Sequence, residues 1–242
     1  MFSSIYHTAV FNPLYNGLIL LFDTFPWMDA GIVVIIFTII IRLILFPLSK
    51  KAIVTQVRMK EIEPELNNLK KTVTDKQQQA LKVMELYKTK GVNPFSSFFL
   101  LFLQLPIIYA LYSIFIRSGL PEVNTELLYG FISVPTINMH FLGLIDISQK
   151  SYLFAILAAV AQFLQLHFSL AASNTGAAKS DNPSVDMAQN MMKNMKYVFP
   201  IIVFFISYKI SAVVAIYWTI SSLFTLGQEL VVKRHLKKHQ PL

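Results

Sequence analysis

Three stretches of the sequence, residues 31–48, 95–116 and 151–172, are almost wholly apolar and close to the ~20 residues a helix needs to cross a bilayer's hydrocarbon core. A fourth, residues 197–229, would be about 50 Å long as one helix at ~1.5 Å per residue, against a core of about 30 Å. It must tilt steeply or fold back, and the polar interruption "SYKIS" at 207–211 is the natural turn, giving two short spans. A soluble domain that is 55% hydrophobic and 14% charged over 242 residues cannot hide so much apolar surface from water. The chain therefore reads as an all-α integral membrane protein with five transmembrane helices. The stretch 14–22 is too short to cross and is bounded by Asn12-Pro13 and Asp23, so it is expected to form an interfacial helix.

Basic residues test this count, because Lys and Arg collect on the cytoplasmic side. Residues 1–30 contain neither. With the N-terminus outside and five spans, the basic residues of 49–94, of 173–196 and of the tail all fall inside, leaving only Arg117, Lys150 and Lys209 outside. Four spans would strand the basic tail outside. The layout is then an extracytoplasmic N-terminus with the interfacial helix (1–30), span one (31–48), a cytoplasmic hairpin (49–94) and span two (95–116). An extracytoplasmic loop (117–150), span three (151–172), a cytoplasmic loop (173–196), spans four (197–210) and five (211–229) and a basic cytoplasmic tail (230–242) complete it. The opening "MFSSIYHTAVFNP" lacks the basic, apolar and small-residue regions of a signal peptide, so the chain is expected to be unprocessed. It has no cysteine, hence neither a disulfide framework nor a lipid-modified Cys.

The segment 49–94 shows apolar residues at helical spacing on either side of "VTDKQQ", which offers Thr74 or Asp75 as a helix cap. Pro64 should bend or restart the first arm. "GVNPF" should stop the second arm at Gly91 and start span two with Asn93 and Pro94. Two readings stay open for this hairpin: a docking arm for ribosomal RNA, incoming peptide or lipid head groups, or a solvated hairpin whose lysines only set topology. The candidate docking residues are Lys50, Lys51, Arg58 and Lys60 here and Lys233, Arg234, Lys237 and Lys238 in the tail. The connection "SNTGAAKSDNPSVD" is turn-rich and expected to be mobile, and Met187, Met191, Met192 and Met195 after it share one helical face.

Arg42 sits inside span one, in "TIIIRLILFPLSKK". An Arg at a helix centre costs about 2.5 to 3.5 kcal/mol on insertion scales, and Lys50, at the inner boundary, is about 12 Å further along a helix. Thr38 lies one turn from Arg42, and other spans supply Gln104, Gln162, Gln165, Ser221, Ser222 and Thr225. Singly, each is a helix-to-helix hydrogen bond. Converging on one face, they would line a water-filled groove around an Arg with no internal acid to neutralise it, so that the missing negative charge arrives with a ligand.

"NPL" at 12–14, an Arg in span one followed by "PLSKK", "MKEIEPELNNLKKT", "YKTKGVNPF", "QLPIIYALY", "FLGLIDIS" and "YW" at 217–218 occur in this order over nearly the whole chain. In this the chain resembles the YidC/Oxa membrane insertase family. The resemblance implies a five-helix core enclosing a hydrophilic groove open to the cytoplasm and to lipid. In the family the groove Arg attracts acidic residues in the tails of nascent membrane proteins, whose hydrophobic segment then slides into lipid. By position, Arg42 and Thr38 match the groove in span one, Gln162 a polar groove position in span three, and Trp218 the aromatic of the last span. The turn "SYKISA" departs from the small-residue turn usual in the family, and the large extracytoplasmic domain of many members is missing. This implies a minimal bacterial member in the plasma (inner) membrane, working as a monomer on nascent membrane proteins in the lipid bilayer, with the Sec translocon and the ribosome as candidate partners and no specific nucleic-acid sequence.

A small-solute or anion transporter using Arg42 as its binding site is the alternative, which inverted repeats would favour; no convincing repeat is seen. An intramembrane enzyme would need an acid-base pair at membrane depth, and His167 alone cannot serve. There is no phosphate-binding Gly loop, metal-spaced His pair or nucleophile triad, so no cofactor and no enzymatic activity is expected.

Overall fold

The computed structural model describes residues 6–93, 96–117, 120–170 and 183–238. Among them the chain is helical apart from loops and one very short hairpin. It divides into two compact units, the first made of Met1–Ile44, Phe102–Gln162 and Pro200–Phe224, the second of Leu45–Leu101, Phe163–Phe199 and Thr225–Leu242.

In the first unit, a π-turn His7–Phe11 leads into α1 (Asn12–Thr24). Phe11, Tyr15, Leu18, Ile19 and Phe22 recur every three or four residues and are buried together, as an amphipathic helix requires. The helix is longer than the expected 14–22, and its buried polar groups pin it to a loop. Asn16 Nδ2 donates to the Leu127 carbonyl (2.8 Å), its Oδ1 accepts from the Tyr129 N–H (2.7 Å), and the Tyr15 hydroxyl accepts from the Asn124 N–H (2.9 Å). α2 (Ala30–Ile44) buries Val33, Val34, Phe37, Thr38 and Ile41 and exposes Ile40, Leu43 and Ile44.

Parts of α6 (Ser96–Tyr112, continued by a π-turn Ser113–Arg117), α7 (Tyr152–Leu170), α8 (Pro183–Ile210) and α9 (Ala212–Lys238) complete this unit. Large apolar side chains lie on its outside as well as in its core, and polar ones share the interior. Asn16, Thr38, Ser113, Gln162, Ser207, Ser221 and Ser222 are buried, while Leu105, Leu153, Ile156, Ile201 and Phe205 face outward. Large apolar side chains on the outside fit a lipid solvent. By length and composition, Tyr152–Ser169 is long and apolar enough to cross a membrane on its own.

Between α6 and α7 the chain forms an antiparallel pair of two-residue strands, β1 (His140–Phe141) and β2 (Ile145–Asp146), turned at Leu142 and Gly143 with φ of 52° and 72°. This two-residue pairing leaves the all-α class unchanged. The same loop explains how α8 and α9 meet. Their break is confined to Ser211 rather than spread over 207–211, because the first N–H groups of α9 find carbonyl partners at once. Ala212 donates to Gln149 (2.9 Å) and Val213 to Ile147 (3.1 Å). These bonds satisfy donors that a helix start leaves orphaned, so no side-chain cap is needed, and the buried Ser211 hydroxyl makes no hydrogen bond.

Gly31 is held by the same loop: a Cβ there would run into the Phe141 ring, which packs edge-on against Phe154 at 5.9 Å between centroids. Gly31→Val is therefore expected to cost about 1 to 3 kcal/mol through overpacking. Gly17→Ala, whose added carbon would meet Phe37 at an ordinary 3.5 Å, should be neutral or slightly stabilising. Thermal unfolding of the two variants in detergent checks the contrast.

In the second unit, α3 (Phe46–Glu61), α4 (Glu63–Thr72) and α5 (Lys76–Thr89) carry the charged hairpin. Span one was expected over 31–48 with its helix loosened at Pro47; the helix stops at Ile44 and restarts at Phe46. Pro47 has no N–H to continue the ladder and its ring crowds the carbonyl four residues back, so it is accommodated in the first turn of a new helix. Pro64 does the same for α4. Asp75, one of the two expected caps, accepts the Gln77 N–H at 2.9 Å. Gly91, at φ 62°, ends α5: Val92 N–H reaches the Tyr87 carbonyl (2.9 Å) and Gly91 N–H that of Lys88 (3.2 Å), the left-handed closure that only glycine adopts without strain. Lys90 and Glu65 bridge the arms at 2.6 Å, but both are exposed and the bridge is worth little.

Pro94, in the expected start of span two, and residues 173–182 of the polar connection lie outside the described residues. α8 begins at Pro183, ahead of the stretch expected as span four, with Pro at the first helical position and good helix formers after it. α9 runs on to Lys238 rather than ending at 229. The side chains of Met187, Met191 and Met192 lie outside the described residues.

Candidate functional site

The geometry of the first unit gathers α2, α6 and α9 around Arg42. Arg42 stands one turn from the C-terminus of α2, where a cation complements the helix dipole. Its Nη2 donates to Gln104 Oε1 of α6 at 2.6 Å and to Ser221 Oγ of α9 in a closer contact. Gln104 Nε2 in turn donates to Ser221 Oγ at 3.3 Å. Tyr217, one turn before Ser221 and fully buried, brings its hydroxyl within electrostatic reach of Arg42. Among the described residues, no carboxylate stands among the partners of Arg42. A guanidinium has five donors, and neutral dipoles hold this one while leaving its charge uncompensated.

A second polar group in the same unit joins α7 to α9. Gln162 Oε1 accepts from Trp218 Nε1 at 2.8 Å and from Ser222 Oγ at 3.1 Å, and all three side chains are buried. Trp218 and Ser222 follow Tyr217 and Ser221 by one residue, so α9 carries both groups on neighbouring faces. Thr38 is fully buried, and its hydroxyl donates back to the Val34 carbonyl at 2.6 Å instead of reaching a side chain. Gln165 is half-buried and belongs to the second unit.

The basic residues of the second unit separate into two kinds. Lys50, Lys51, Arg58 and Arg234 face solvent. Lys60 and Lys233 are half-buried, and Lys233 Nζ is 3.0 Å from Oε2 of Glu229, whose surface is only 1% exposed. The side chains of Lys237 and Lys238 lie outside the described residues. In the sequence Ser221 is one polar group of the last span among several and Tyr217 stands out only within the "YW" pair, while Glu229 is not among the residues singled out. The signal for Glu229 was a lone acid four residues before a Lys at the end of an apolar helix.

A family model described as 60Kd inner membrane protein matches residues 21–239. The membrane protein insertase YidC of Fusobacterium nucleatum is 33% identical over 207 residues, 85% of this chain and 87% of that one. The YidC of Clostridium tetani is 33% identical over 218 residues, 89% of this chain and 87% of the other. YidC 1 of Streptococcus pyogenes serotype M1 is 31% identical over 242 residues, covering 95% of this chain and 78% of that one.

Proposed function

The chain belongs to the 60Kd inner membrane protein family, to which its YidC insertase relatives point, and from that premise we propose that it inserts nascent hydrophobic segments into the lipid bilayer by way of Arg42. In this reading five helices cross the membrane, with the N-terminus outside and the tail in the cytoplasm, and the first unit forms a groove open to the cytoplasm and to lipid. An acidic residue in the tail of the client meets Arg42, which exchanges neutral partners for a charge-assisted, bidentate hydrogen bond. The tail is thereby held at membrane depth, and the following hydrophobic segment leaves sideways into lipid. Thr38, Gln104, Gln162, Trp218 and Ser222 line or support the groove; Lys50, Lys51, Arg58 and Arg234 offer positive charge to anionic partners at the cytoplasmic face, the ribosome among them.

The observation that carries this reading is an arginine held by Gln104 and Ser221, two neutral side chains, inside a unit that turns its large apolar residues outward. A purely structural buried arginine would be expected to keep a carboxylate, since an uncompensated buried charge is costly. Reconstitution of the purified chain into liposomes tests it. Insertion of a single-span client with an acidic tail should exceed that into empty liposomes and fall sharply with Arg42→Ala, while a client with a neutral tail should lose little. Full insertion of the acidic-tail client by Arg42→Ala removes the docking role; no gain over empty liposomes with the unaltered chain removes the insertase reading.

A further inference from the structure

The polar cluster around Glu229 has no part in the groove as described above. Glu229 Oε1 accepts from Ser169 Oγ of α7 at 2.8 Å, and Oε2 accepts from Lys233 Nζ at 3.0 Å. Lys233 Nζ also donates to the Phe168 carbonyl at 3.3 Å, near the end of α7. From α3, Lys60 Nζ reaches the Ser169 carbonyl at 3.5 Å, and about three turns earlier on the same helix Ser49 Oγ donates to Gln228 Oε1 at 3.3 Å. Three helices of the second unit therefore meet at Glu229 and Gln228: α3 at the root of the charged hairpin, the end of α7, and the last third of α9.

The balance of charge in the cluster decides what it does. Lys60 and Lys233 are both half-buried; Glu229 bonds Lys233 and acts on Lys60 as well, and Glu63, three residues from Lys60, adds a second, weaker influence on Lys60 alone. Burial is the main influence lowering the tendency of Lys60 to hold its proton, and repulsion from Lys233 adds to it, while Glu229 and Glu63 oppose both. If Glu229 loses its charge, two desolvated ammonium groups face each other, and α3 is the element able to relieve the repulsion by moving off. With the carboxylate intact, each cation is held where it can bond a carbonyl at the end of α7. Loose surface pairs do little of this, but a carboxylate this buried is not screened by solvent.

We propose that Glu229 is a positioning residue for insertion: through Lys233, Ser169 and Lys60 it clasps the root of the charged hairpin to the inner ends of α7 and α9, and insertion depends on that clasp. The role in insertion rests on the reading of the chain as an insertase; the clasp itself does not.

The absence of cysteine makes the test direct, since two introduced cysteines are the only labelling sites. Spin labels at Gln56→Cys on α3 and Val231→Cys on α9, a half-buried and an exposed position in the second unit, report the distance across the clasp in nanodiscs. The unaltered cluster should give one narrow distance peak. Glu229→Gln, nearly the same shape without the charge, should lose that peak to a broad distribution, and Ser169→Ala should do so in part. The double exchange Glu229→Lys with Lys233→Glu, which restores one pair of opposite charges, should bring the peak back. In liposomes the same order should hold for the rate of client insertion, with rescue by the double exchange, a result that simple loss of packing does not produce. An unchanged narrow peak in Glu229→Gln, or a broadened peak with undiminished insertion, overturns the proposal. If the unaltered chain inserts nothing, the insertase reading fails, and the distances still decide whether the clasp exists.

Discussion

Arg42→Glu is expected to invert the charge preference of insertion, so that clients with basic tails are inserted and clients with acidic tails stall. The site can accept the reversal because its partners are not committed to one sign. Gln104 offers Oε1 to Arg42, and a half-turn of its amide would present Nε2 to a carboxylate; the Ser221 hydroxyl can accept or donate. A variant carrying a carboxylate at position 42 can therefore keep two hydrogen bonds and fold, which separates a charge effect from a collapse. As for size, two unit charges about 4 Å apart attract by about 4 kcal/mol at an effective dielectric constant near 20, and desolvation erodes much of that. A net effect of about 1.4 to 2.8 kcal/mol corresponds to a ten- to hundredfold change in the ratio of insertion rates for acidic and basic tails. The measurement uses paired clients that differ only in tail charge, inserted by the unaltered chain, by Arg42→Gln and by Arg42→Glu. Arg42→Gln should be indifferent to tail charge. If all three proteins rank the two clients alike, the charge at position 42 is not being read.

Much of the site was legible in the sequence because a charge in an apolar run is conspicuous whatever the fold. Arg42 stood out for that reason, and Gln104, Gln162 and Ser222 followed as polar residues in other apolar stretches. What could not be read was which of them meet. Gln104 and Ser221 close on Arg42 whereas Gln162 and Ser222 close on Trp218, a division set by the rotation of α9 about its axis, which residue spacing in one helix does not reveal. Thr38 had the right spacing, yet its hydroxyl is taken by the carbonyl four residues back, the local bond Ser and Thr commonly make in helices. Helix limits went astray for related reasons. The Pro47 break was readable as a loosening and proved a restart, because a proline fits a first helical turn without loss. The sharp corner at Ser211 depends on carbonyls of Gln149 and Ile147, more than sixty residues away, so nothing near Ser211 announced it.

The second large effect concerns stability rather than charge. Gln162→Leu is expected to destabilise the first unit by about 2 to 4 kcal/mol, because it takes the acceptor from two buried donors at once, each costing about 1 to 3 kcal/mol when left unmade. Hydrogen bonds between helices in a bilayer average nearer 0.6 kcal/mol by double-mutant cycles, since the separated helices find other partners. That lower figure applies poorly here, as Trp218 and Ser222 are themselves buried and α9 is buried without interruption from Ala212 to Trp218. The test is a cycle: Gln162→Leu alone, Trp218→Phe with Ser222→Ala, and all three together, measured by denaturation in mixed micelles. The triple variant, which removes donors and acceptor alike and leaves an apolar contact, should recover most of the loss seen in Gln162→Leu. Additive losses would mean that the three side chains act independently, and that the two hydrogen bonds to Gln162 do not hold α7 to α9.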